Sequence, residues 1–92
     1  MKHGNILALF NANDTMIATV EAIVAAQATK YKILGDLFYI ETPDIVTAQK
    51  IVTALKKTTV EFVFYYNNIS NGSTVSANTG NPNLTSIRKI ML

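Results

Sequence analysis

The stretch YKILGDLFYIET (Tyr31–Thr42) decides the fold, because it lies between the two segments with clear helical patterning. Read as one strand bulged at Gly35-Asp36, it gives the order strand, helix, strand, helix, strand. Read as two short strands, it gives a hairpin closed by a two-residue turn with glycine in the first position, the arrangement of a type II′ turn. Glycine reaches positive φ at low steric cost, and an aspartate is poorly placed inside a buried strand, so the hairpin is the favoured reading.

The flanking segments complete the pattern. Ile6-Leu7-Ala8-Leu9-Phe10 is a continuous apolar run of strand length, followed by the turn-forming Asn11-Ala12-Asn13-Asp14. From Thr15 to Ala28, Met16, Ile17, Val20, Ile23 and Val24 recur on one helical face, with Asn13 or Asp14 placed to cap the first turn. A second helix is predicted from Pro43 to Lys57. Thr42 is its expected N-cap, Pro43 its first residue, and Lys56-Lys57 sit where the helix dipole favours cations. Its inner stripe is Ile45, Ala48, Val52 and Leu55. Thr59 to Tyr66 is dense in β-branched and aromatic residues and reads as the last core strand.

The resulting order, βαββαβ, is that of the ferredoxin-like α+β fold, with two helices on one face of a four-stranded antiparallel sheet. Residues 1–66 form this sandwich core in the reading, and residues 67–92 an Asn- and Thr-rich hairpin and C-terminal segment packed on it. Asn71-Gly72 is a strong turn signal, suited to joining the last core strand to an additional edge strand, and Thr79 to Asn83 reads as a turn. Leu84 to Leu92 fits helical and strand periodicity alike. The expected core is Ile6, Ala8, Phe10, Ile17, Val20, Val24, Ile33, Phe38, Ile40, Val52, Leu55, Phe62 and Phe64.

Composition narrows the chemistry. The sequence has no cysteine, which removes disulfides, cysteine zinc sites and thiol nucleophiles, and its single histidine is His3. Gly4, Gly35, Gly72 and Gly80 are scattered and form no phosphate loop. No catalytic residue, metal site or cofactor is therefore expected. Glu41 and Glu61 are the carboxylates that fall within strands, and a facing acid pair is the one enzymatic arrangement the pattern offers. No apolar run reaches membrane-spanning length, and Met1-Lys2-His3 with Ile6 to Phe10 lacks the pattern of a signal peptide, so a cytoplasmic protein is expected.

The sheet face turned away from the helices is the most informative surface. Alternation places Leu37, Tyr39 and Glu41 together, and likewise Glu61, Val63 and Tyr65, with Lys30 and Lys32 as neighbours. A face of tyrosines and aliphatics on a chain that is only 15% charged points to association with protein, either a second copy or a heterologous target. The rival is single-stranded RNA stacked on the tyrosines, with the lysines at phosphates. Motif detail disfavours it: Leu34 precedes Gly35 where a basic residue is wanted, and Phe38 and Tyr39 are adjacent rather than alternating. The net charge of +2 is also small for a phosphate-tracking surface. A small-ligand regulatory domain is a third reading. Richness in Asn, Thr, Ile and Lys suits an accessory protein of an AT-rich genome, a virus-encoded factor among them.

Overall fold

The structure, a computed structural model, describes residues 3–67 and 75–80. Its elements are β1 (His3–Phe10), α1 (Asp14–Gln27), β2 (Lys30–Leu34), β3 (Leu37–Thr42), α2 (Ile45–Lys56), β4 (Glu61–Asn67) and β5 (Val75–Gly80). The strands form one sheet in the order β2-β3-β1-β4-β5, and the paired neighbours are all antiparallel. This is the ferredoxin-like βαββαβ fold with β5 added beside β4.

Tyr31–Thr42 is a hairpin. Leu34 pairs with Leu37, Gly35 has φ 63°, and Asp36 lies outside the positive-φ region, the sign pattern of a type II′ turn. The turn is also tied to the central strand, because the Leu9 N–H donates to the Asp36 carbonyl at 2.9 Å.

Both helices start on side-chain caps. Asn13 caps α1 by accepting from the Met16 N–H at 2.9 Å. The cap of α2 is Asp44 rather than Thr42, and Pro43 stays outside the helix. Asp44 accepts from the Thr47 N–H at 2.8 Å and from the Thr47 hydroxyl at 2.7 Å. Thr42 is unavailable for capping because it occupies an inward position of β3 and is fully buried.

The main core lies between the sheet and the two helices. Val20 and Val24 of α1 and Ala48, Ile51, Val52 and Leu55 of α2 meet Phe38, Ile40, Phe62 and Phe64 there. The β1 contribution differs from the expected one. Leu7 and Leu9 face the helices, whereas Ile6 is exposed and Ala8 and Phe10 form a second cluster with Val63 on the opposite face. A run apolar on both sides carries no register information, and the deciding residue is Asn5. It follows Leu7 and Leu9 inward because its Nδ2 donates to the Ile40 carbonyl and to Thr42 Oγ1, both at 3.2 Å.

β4 begins at Glu61 and runs one residue past Tyr66, and β5 extends through Thr79 and Gly80, which the sequence pattern assigns to a turn. The Asn71-Gly72 turn and the periodicity of Leu84 to Leu92 lie outside the described residues.

Candidate interaction face

Antiparallel register arranges the outer face in rows that cross the sheet, because directly paired residues share a face. One row runs Lys30, Glu41, Gly4 and Asn67; the next runs Lys32, Tyr39, Ile6 and Tyr65; a third runs Leu34, Leu37, Ala8 and Val63. Phe10 and Glu61 pair beyond them. The predicted residues Leu37, Tyr39, Glu41, Glu61, Val63, Tyr65, Lys30 and Lys32 thus all belong to this face.

They are not equally available. Tyr39 is 42% exposed and its cross-strand neighbour Ile6 38%. Lys30 and Lys32 are exposed; Leu37, Glu41, Glu61 and Tyr65 are half-buried; Val63 is buried with Ala8 and Phe10 and offers no contact surface. The open part of the face is its β2, β3 and β1 side. There an open groove of about 360 Å³ is lined by Gly4, Ile6, Lys30, Lys32, Tyr39 and Glu41, with Asn5, Tyr31 and Ile40 beside them.

Glycine shapes this groove. Between Glu41 on β3 and Asn67 on β4, the row position on β1 is Gly4, which has no side chain to fill the surface. Sequence reasoning missed both Gly4 and Ile6. Their placement follows from the β1 register, which the apolar run concealed.

The two strand carboxylates do not meet. Glu41 pairs with Gly4 and Glu61 with Phe10, so they stand at opposite ends of β1, separated by six residues, roughly 20 Å at strand rise. Glu41 is occupied locally: the Thr29 hydroxyl lies within donating distance of its carbonyl at 3.0 Å and of its Oε2 at 3.2 Å. Glu61 Oε2 is buried and has no hydrogen-bond partner among the described residues. Among those residues no cluster of three or more His, Asp or Glu side chains could hold a metal ion. No helix among them is long and apolar enough to cross a membrane.

Tyr31 lines the groove's edge yet belongs to the helix side. Its hydroxyl donates to Glu21 Oε2 of α1 at 3.1 Å, and this bond, with burial and the carboxylate's charge adding to it, raises the phenol's pKa. Lys30 and Lys32 are on the opposite face of the same strand and make no ion pair among the described residues.

No family model, curated protein or solved structure matches the chain.

Proposed function

We propose that the protein is a small non-enzymatic interaction module that associates with a second copy of itself through the open side of the outer sheet face. The observation that carries this reading is the exposure of Ile6 and Tyr39 side by side at paired positions. Leu34, at 49% exposure, adds further apolar surface in the adjoining row. Such contiguous apolar and aromatic surface is the kind that association removes from water.

A two-fold interface places one patch against its own copy, so the patch must complement itself. This open side carries both signs of charge as well as apolar surface, with Glu41 beside Lys30 and Lys32. The small net charge of +2 weighs against the nucleic-acid reading, since phosphate binding draws on an excess of positive charge. The non-enzymatic part of the proposal is supported by the separation of Glu41 from Glu61. A cytoplasmic accessory role, including that of a virus-encoded factor, belongs to the same proposal and rests on composition alone.

Sedimentation across a concentration series at low and high salt tests the reading. A dimer that persists or strengthens at high salt, and that Tyr39→Glu converts to monomer without loss of fold, is the expected result. A monomer at both salts overturns self-association. If that monomer carries nucleic acid in its ultraviolet spectrum, the face is an RNA platform using Tyr39, Tyr65, Lys30 and Lys32.

A further inference from the structure

β2 is the last strand on its side of the sheet, and among the described residues it pairs only with β3. Antiparallel geometry then fixes which of its backbone groups look outward. Leu34 and Leu37 close the two-residue turn as a hydrogen-bonded pair, so Lys32 and Lys30, two and four residues back, also bond toward β3. Tyr31 and Ile33 direct their N–H and C=O groups to the open edge. At this edge Tyr31 is 37% exposed and Ile33 half-buried.

We infer that this edge takes up, by strand addition, an extended segment of another protein that carries acidic residues at alternate positions. Backbone pairing with Tyr31 and Ile33 supplies the docking, and the side-chain rows select the occupant. An added strand continues the outer-face rows, so its alternate residues stand next to Lys30 and Lys32. Neither lysine has an ion-pair partner among the described residues, and opposite charges at adjoining strand positions attract. A second copy of β2 is disfavoured in the register centred on Tyr31, which sets Lys30 of each copy beside Lys32 of the other, and in the register centred on Lys32, which sets Lys32 beside its own copy, both destabilising like-charge contacts. The lysines therefore work against self-pairing in those registers, a familiar defence of edge strands, and favour an acidic partner. The inference rests on the reading of the protein as an interaction module; it shares Lys30 and Lys32 with the self-associating face, while the backbone groups that dock the strand belong to Tyr31 and Ile33 at the edge.

The test uses the full chain and short fluorescein-labelled peptides alternating Glu with Val or Lys with Val. Fluorescence anisotropy should show the Glu peptide binding roughly two- to thirtyfold tighter than the Lys peptide, the span expected for two cross-strand charge pairs. The Lys30→Glu, Lys32→Glu double variant should reverse that preference, and since both positions are exposed it should fold normally. Amide hydrogen exchange at Tyr31 and Ile33 should slow when the Glu peptide binds. Equal affinity for the two peptides, or no binding of either, reduces the lysines to edge protection and overturns the inference. So does unchanged binding of a Glu peptide N-methylated at the residues that would pair, since it cannot form the strand ladder. A chain that sediments as a monomer yet binds the Glu peptide loses the self-association reading alone; a chain indifferent to the peptide at concentrations where it is monomeric, yet dimeric at higher ones, loses this inference alone.

Discussion

Asn5 and Thr42 meet side chain to side chain across β1 and β3, with Asn5 Nδ2 donating to Thr42 Oγ1 at 3.2 Å in a fully buried setting. The Thr42 hydroxyl in turn donates to the Asp44 carbonyl at 2.9 Å, so one hydroxyl links the central strand to the start of α2. Thr42→Val keeps the shape and removes this link, leaving buried polar groups without it. The expected cost is about 1–3 kcal/mol in urea unfolding, and Thr42→Ser should recover most of it. A neutral Thr42→Val would show that the hydroxyl is dispensable and that Asn5 stays inward without it.

Gly35 has φ 63°, and a Cβ built there meets nothing within 4 Å. Substitution is therefore resisted by backbone conformation and not by crowding. Gly35→Ala should destabilise by about 1–2 kcal/mol, while Gly35→Asn, which tolerates the left-handed region, should cost less. Equal losses for the two variants, measured by chemical denaturation, would point to a steric cause the geometry does not contain.

Neighbouring residues of β1 should respond oppositely to truncation. Leu7 is completely buried against the helices and Ile6 is 38% exposed on the other face. Leu7→Ala should cost about 2–5 kcal/mol. Ile6→Ala should cost about 1 kcal/mol or less, close to the range of surface changes. Phe62→Ala, at a site with no exposure, belongs with Leu7 at about 3–5 kcal/mol. A larger loss at Ile6 than at Leu7 would mean that β1 sits in the opposite register.

This register also marks where the sequence ceased to be legible. The hairpin was readable because Gly35 can do cheaply what its neighbours cannot, and the registers of β3 and β4 because polar residues alternate with apolar ones around Tyr39, Glu41, Glu61 and Tyr65. Ile6 to Phe10 has no such alternation, and either set of alternate residues makes an acceptable inner face. What selects between them is the burial of Asn5, and that depends on an amide reaching Ile40 and Thr42, some 35 residues away in the chain. The same long-range demand places Thr42 in the core and passes capping of α2 to Asp44. With β1 inverted, Ile6 and Gly4 went unread as part of the groove.

Tyr31 supplies a prediction with a sign in pH. Its hydroxyl donates to Glu21, and the accepting carboxylate stabilises the protonated phenol and opposes the phenolate, so the folded pKa is raised from 10.0. A group whose folded pKa is raised contributes stability that is fully present below its unfolded value. That contribution is lost as pH climbs from about 10.0 through the raised folded value. The alkaline absorbance titration of the parent minus that of Tyr31→Phe isolates this phenol, and its midpoint should lie above 10.0. Glu21→Gln removes the charge while keeping an acceptor, and should lower the midpoint without returning it fully. Tyr31→Phe should also flatten the fall in stability on the alkaline side. A midpoint that Glu21→Gln leaves in place would show that the carboxylate does not govern the phenol, and that the link between β2 and α1 does not persist in solution.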